Sequence, residues 1–252
     1  MSTTQAEQIT SIDYLLHLAD TTLILGQRNA VWCGHGPILE QDIAITNITL
    51  DLVGQARMYY QYAAKLIQQK EGREETEDSL AYLRNERSFK NLLICELPNG
   101  DWAQTVLRQF LFSVFQQSLL EKLSKSSDEE LAAIANKSLK EVNYHVKWSS
   151  EWVIRLGDGT EESHSRISKA LESLWLFTGE FFKSATYEPS FVSEIQTEWM
   201  SQISAVFTEA GLVVPEKVFM QEGGKTGFHT EFLGYVLSEM QTLQRNYPGA
   251  AW

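Results

Sequence analysis

Few residues in this chain that could do redox chemistry fall at spacings that would let them do it together. A di-iron carboxylate centre in a helical bundle needs a Glu from each of two helices and a Glu-x-x-His from each of two others. The spacing of three places carboxylate and imidazole on one inward face. One such pair occurs, Glu161 and His164. It lies in the polar run Gly159-Thr160-Glu161-Glu162-Ser163-His164 and reads as a solvated first turn of a helix. Glu141 and His145 are four apart, share a face, and read as an intrahelical hydrogen bond or an interior polar contact. Asn47, Asp51 and Gln55 form a stripe flanked by Ile48, Leu52 and Gly54. Amides are poor iron ligands. The stripe therefore reads either as hydrogen bonds standing where a metal site has been replaced, or as a face turned to solvent or a partner. No full ligand set for a di-iron centre is recognisable, so no catalytic and no metal-ligating residue is assigned. The alternative is an autonomous metalloenzyme of helical-bundle type with an unusual site built from Asp51, Glu141 and His145.

Other candidate motifs are weaker. Gly223-Gly224-Lys225-Thr226 resembles a phosphate loop, but Phe219 stands where that pattern needs a glycine, and no strand precedes it. Cys33 and Cys95 belong to no Cys-x-x-Cys pair and sit beside apolar residues, so both are expected to be buried, reduced thiols. The stretch Asn85-Glu86-Arg87-Ser88-Phe89-Lys90-Asn91 combines bases, an aromatic ring and hydrogen-bonding side chains at an irregular helix boundary. That mix suits an anionic, partly aromatic ligand such as a nucleotide-like tail, with an ordinary surface turn as the alternative.

The elements that must position these residues all read as helices. Ile12, Leu15, Leu16, Ala19, Leu23 and Gly26 mark one face of a first helix over about 9–29. Trp32-Cys33-Gly34-His35-Gly36-Pro37 breaks it. A second helix spans about 39–69, and residues 71–78 form a charged linker. A short helical stretch covers 80–96, and Pro98-Asn99-Gly100 is a turn. Asp101 caps a third helix, apolar almost all round, that runs to about 123. Ser127 starts a fourth helix as a capping box, and Gly157 ends it as the residue beyond the cap. Further helices follow over about 161–183, 190–210 and 230–245. This pattern predicts an all-α chain: a bundle of about four central helices with additional peripheral helices, one domain over 1–252.

Composition narrows the function. Apolar residues make up 43%, enough for a sizeable core, and no run of 18 apolar residues predicts a membrane span. Residues 1–10 are polar, which argues against a secretory leader. The net charge of −12 argues against nucleic acid as a partner. A cytoplasmic location is expected.

A resemblance adds to these readings. Trp32-Cys33-Gly34-His35, the run from Asn47 through Asp51 and Gln55 to Arg57, and Glu86-Arg87-Ser88-Phe89-Lys90-Asn91-Leu92-Leu93 carry it. So do Pro98-Asn99-Gly100, Lys140-Glu141-Val142-Asn143-Tyr144-His145 and the run from Gly223 to Glu231. In this order the phrases resemble the C subunit of bacterial phenylacetyl-CoA epoxidase, the ring epoxidase of aerobic phenylacetate degradation. The resemblance implies a ferritin-like, non-catalytic structural subunit with no cofactor of its own. It implies a catalytic A subunit that holds the di-iron centre, and other members of the complex that supply FAD/iron–sulfur and NADPH chemistry. Phenylacetyl-CoA would sit at a shared site, with Ser88, Phe89, Lys90 and Asn91, and a second contact at Pro189, Ser190 and Phe191, on the rim for its CoA end. A homodimer of the isolated chain is allowed.

Overall fold

The computed structural model describes residues 10–250. Residues 1–9, on which the expectation about a leader largely rests, lie outside the described residues. Nine α-helices and four 3₁₀ turns make up the regular structure of the described residues, which include no strand. Four long helices form the bundle: α1 (Ile12–Ala30), α2 (Leu39–Glu71), α5 (Trp102–Leu123) and α6 (Glu129–Gly157). α1 packs along α2, α5 packs along α6, and α2 meets α6. A long crossover between α2 and α5 carries α3 (Glu77–Tyr82), a 3₁₀ turn (Glu86–Ser88) and α4 (Leu93–Glu96). α7 (Glu161–Leu174) and α8 (Gln196–Glu209) cover the α5–α6 pair. α9 (Glu231–Asn246) returns to α1, α3 and α4. This is the ferritin-like arrangement that the resemblance implies.

Local chemistry sets the helix ends. Ser11 caps α1 by accepting the Tyr14 amide at 3.0 Å. α2 stops at Gly72, whose φ of 67° is left-handed. Asp101 caps α5 by accepting from the Gln104 amide, and most of that helix is buried, as its all-round apolar sequence requires. In the Pro98-Asn99-Gly100 turn, the Asn99 side chain donates to the Arg28 carbonyl at 2.7 Å and accepts from the buried Arg108 guanidinium at 2.5 Å. Burial lowers the Arg108 pKa to about 10.

Several boundaries differ from expectation, each for a local reason. α6 is capped by Asp128, not Ser127. The Asp128 carboxylate accepts the Leu131 amide at 3.0 Å and the Tyr62 hydroxyl at 2.7 Å, so it also ties α2 to α6. Gly157 is the last residue of α6 rather than the residue beyond its cap, and Asp158 is the C-cap. The helix expected over 161–183 is α-helical only to Leu174 and then tightens to a 3₁₀ turn, Trp175–Phe181. With three residues per turn, Trp175, Thr178 and Phe181 share one buried face. Phe181 stacks on Phe115 at 4.8 Å between ring centres, and Trp199 stands edge-on to Phe181 and Phe182. The helix expected from 190 begins only at Gln196, after a 3₁₀ turn Ser190–Ser193. The stretch 80–96 is broken into α3, a 3₁₀ turn and α4 by extended backbone at Asn85, Phe89 and Leu92. Cys95 is buried as expected, but Cys33 is exposed in the loop after α1.

At Gly157, α6 comes close to the residue that follows α8. A Cβ there would lie 2.2 Å from the Ala210 carbonyl oxygen. Gly157→Ala is expected to destabilise the chain by about 1–2 kcal/mol net of the better helix preference of alanine, read as a lower denaturant midpoint.

Candidate functional site

The crossover between α3 and α4 is irregular, so its backbone groups need partners other than a helix ladder. Buried side chains supply them. On α1, His17, Asp20 and Thr21 fall at i, i+3 and i+4 among mostly apolar buried residues, and all three are buried. Asp20 Oδ2 accepts the Lys90 amide at 2.8 Å, His17 Nδ1 donates to the Lys90 carbonyl at 2.7 Å, and Thr21 Oγ1 accepts the Leu92 amide at 3.3 Å. Asp20 also accepts the Tyr60 hydroxyl at 2.5 Å and pairs with the Arg84 guanidinium. Arg84 in turn donates to the Ser88 carbonyl at 2.8 Å and lies 4.3 Å from the centre of the Phe89 ring. Burial alone would lower the Arg84 pKa, but Asp20 and Tyr60 outweigh it and raise it.

A second clamp comes from the start of α9. His229 Nδ1 donates to Glu96 Oε2 and Nε2 donates to the Phe89 carbonyl, each at 2.9 Å. Both acceptors are satisfied together only by an imidazolium. Burial opposes that charge, yet the Glu96 bond and charge and the Phe89 carbonyl outweigh it, so the His229 pKa is raised. Glu96 also accepts from Asn91 Nδ2 at 2.8 Å and from the Thr230 amide at 2.6 Å.

The stretch after the Trp175–Phe181 turn is fixed by the same logic. Lys225 is buried, and its Nζ donates to the Glu188 carboxylate at 2.9 Å and to the Phe181 and Lys183 carbonyls at 3.2 and 3.0 Å. Burial lowers the Lys225 pKa, and Glu188 opposes that. Glu180 accepts the Leu93, Gly223 and Gly224 amides at 2.7–2.9 Å, which ties this stretch to α4 and to the glycine loop. Burial still raises the Glu180 pKa. The Gly223 and Gly224 amides and the Lys225 ammonium are therefore taken up by the protein's own groups. A Cβ on Gly224 would lie 2.1 Å from the Asn91 carbonyl oxygen, so the glycine lets the loop close on the crossover. Beside it opens a cleft of about 300 Å³ lined by Glu180, Lys183, Ser184, Gly223, Lys225 and Phe228.

These clamps bring the two expected rim segments together. His17 Nε2 lies 3.4 Å from Glu188 Oε1, and Lys90 Nζ sits 5.2 Å from the centre of the Tyr187 ring. Ser88 is exposed, Lys90 is partly exposed with its Nζ 3.6 Å from Asp13, Ser190 is exposed, and Pro189 and Phe191 are half-buried. Phe89 and Asn91 are fully buried, so neither offers its side chain as a ligand surface. Phe89 packs under Arg84, and Asn91 binds Glu96. The exposed ring at this edge is Phe228, with the Arg87 guanidinium 5.0 Å from its centre. Sequence reasoning missed it, as it missed His17, Asp20 and Thr21. A polar trio at one helical interval among mostly apolar residues is the signal that could have found the latter.

The bundle interior holds a separate polar group. His145 Nε2 bonds Asp51 at 2.9 Å across α6 and α2. Gln55 donates to Glu141 at 2.9 Å and accepts from Gln116 at 2.8 Å. Glu141 and His145 thus make interior polar contacts to α2, one of the two readings of their spacing. Asn47 is exposed, so the stripe turns inward only over Asp51 and Gln55. His145 Nδ1 is buried with no hydrogen-bond partner. Among the described residues no three His, Cys, Asp or Glu side chains gather as a metal site. Gln55, which binds Glu141, and Gln116, which binds Gln55, are amides and poor iron ligands, so the donor set does not fit a di-iron centre. Thr160 caps α7, where Glu161 is exposed and His164 is tied to the Gly157 carbonyl at 2.7 Å.

A ferritin-like bundle whose interior is amide-rich, and whose crossover is clamped by buried charges, defines the class, and a family model agrees. The chain belongs to the phenylacetic acid catabolic protein family, whose model matches residues 1–252. Within it, the chain is similar to the C subunit of the 1,2-phenylacetyl-CoA epoxidase of Escherichia coli (strain K12). The two are 42% identical over 247 residues, covering 95% of this chain and 98% of that one. No helix among the described residues is long and apolar enough to cross a membrane.

Two outcomes follow from these pairs. A raised folded pKa contributes stability that is fully present below the unfolded histidine value and lost as pH rises through the folded value. The stability advantage of wild type over His229→Gln is therefore expected to be larger at pH 6 than at pH 9, measured by urea unfolding of both proteins. Asp51→Ala leaves the buried His145 ring without its carboxylate and is expected to cost about 1–3 kcal/mol in the same assay.

Proposed function

We propose that this chain is a non-catalytic structural subunit of a di-iron phenylacetyl-CoA epoxidase. In that role it supports the catalytic A subunit, helping to seat the CoA end of the substrate. The observation that carries it is the juxtaposition of the 88–91 and 187–190 segments on a buried ionic scaffold, in a chain so similar to a named C subunit. Lys90, Ser88 and Ser190 are the donors that reach the edge for phosphate oxygens, and Phe228 beside Arg87 is the flat ring for an adenine. Phe89, Asn91 and the Pro189 and Phe191 side chains act from beneath, by holding that edge in place.

The amide-rich interior supports assigning the di-iron centre to the A subunit, and the FAD/iron–sulfur and NADPH chemistry to other members of the complex. The outer face of α2 supports a contact with a neighbouring protein of the complex. Ile43, Asn47, Leu50 and Gly54 are exposed on one helical stripe, an apolar centre with a polar member. The cytoplasm, where acyl-CoA thioesters and NADPH are held, is the proposed location.

Two measurements test this reading. Iron analysis of the isolated chain after aerobic and anaerobic loading is expected to give no stoichiometric metal, and bound iron in stoichiometric amount would overturn it. In the complex reconstituted with the A subunit, Lys90→Glu is expected to weaken phenylacetyl-CoA binding by about 5- to 20-fold, the loss of one charge-assisted contact. Unchanged affinity with the complex intact would remove the segment from the site.

A further inference from the structure

His17 is buried on α1 and touches both rim segments from below. Its Nδ1 donates to the Lys90 carbonyl at 2.7 Å, and its Nε2 lies 3.4 Å from the Glu188 carboxylate, one residue before Pro189. Glu188 is itself keyed by Lys225 and accepts the Ala185 amide at 2.7 Å. Lys90 is further pinned through its amide by Asp20, one helical turn along α1. The peptide groups on both sides of the Lys90 Cα are therefore held by one helix face, which fixes where the Lys90 ammonium emerges. Because a carbonyl only accepts, the proton of the neutral ring sits on Nδ1, so Nε2 meets Glu188 by close contact and not by a donated hydrogen bond. Burial keeps the His17 pKa below the ordinary histidine value; Glu188 opposes this and Lys225 reinforces it.

We propose that His17 is a positioning residue of the acyl-CoA rim, setting the spacing between the Lys90 segment and the Glu188–Ser190 segment so that both can meet the phosphates of one nucleotide tail. This rests on the proposed rim. The ligand class is a nucleotide-bearing thioester, and His17 never touches it. Donors on two separate loops bind one polyphosphate well only at a fixed separation, so a loosened spacing weakens binding of the tail and leaves the reacting end alone.

The test uses the reconstituted complex with phenylacetyl-CoA and with phenylacetyl-pantetheine, which keeps the thioester and lacks the nucleotide. His17→Leu is expected to raise KM for phenylacetyl-CoA about tenfold with kcat within about twofold, and to leave KM for phenylacetyl-pantetheine unchanged. His17→Asn places an amide nitrogen near the Nδ1 position and is expected to recover most of the loss. His17→Gln places its amide near Nε2 instead and is expected to recover less. If His17→Leu assembles poorly, the Asn and Gln variants carry the comparison. Equal losses with both substrates would mark a structural role and overturn the proposal. Normal KM in His17→Leu, while Lys90→Glu raises it, would also overturn the proposal and leave the rim standing. No effect from Lys90→Glu would remove the rim, and this inference with it.

Discussion

A carboxylate at the centre of α1 cannot remain buried without partners, and much of the irregular half of this molecule is organised around meeting that requirement. Asp20 has no exposed surface. It takes a hydroxyl from α2, a guanidinium from the segment after α3 and a main-chain amide from the crossover. Breaking such a set strands the remaining charge, which costs far more than the pair contributes. The crossover therefore has little freedom to move away from α1. Arg84, held by Asp20, extends the constraint to the Ser88 carbonyl and the Phe89 ring.

The bundle and the edge built on it use polar groups differently. Inside the bundle, neutral amides and one imidazole–carboxylate pair join α2, α5 and α6 side chain to side chain. At the edge, charged side chains bind main-chain groups of segments with no regular hydrogen bonding. The first arrangement fixes helix register. The second gives irregular backbone a single conformation, which a surface loop with only solvent contacts lacks. A protein that contributes to a shared cleft needs the second more than the first.

Much of the helical content was legible from periodicity and caps. Asp101, the Pro98-Asn99-Gly100 turn and the all-round apolar α5 need only local rules. The misreadings share a cause in tertiary contact. Residues 175–181 keep a helical pattern, and the aromatic cluster around Trp199 selects the tighter turn. Phe89 follows a run of four exposed residues and Asn91 is polar, and their burial depends on Arg84 and Glu96 reaching them. Cys33 has apolar neighbours, yet the loop that carries it lies outside the core. The run before Lys225 lacks the first glycine of a phosphate loop, but nothing local foretold that Glu188 would receive its ammonium.

The partners of the 88–91 segment are distributed along most of the polypeptide. His229 reaches Glu96 across 133 positions and Phe89 across 140, and His17 reaches Lys90 across 73. On the ribosome, the α1–α2 hairpin can pack as soon as both helices have emerged. The edge cannot close until the start of α9 has been synthesised. A nascent or C-terminally shortened chain would thus carry a nearly complete bundle with an unlatched crossover. The cell's quality-control machinery would meet that species as a folded core bearing one loose, charged flap.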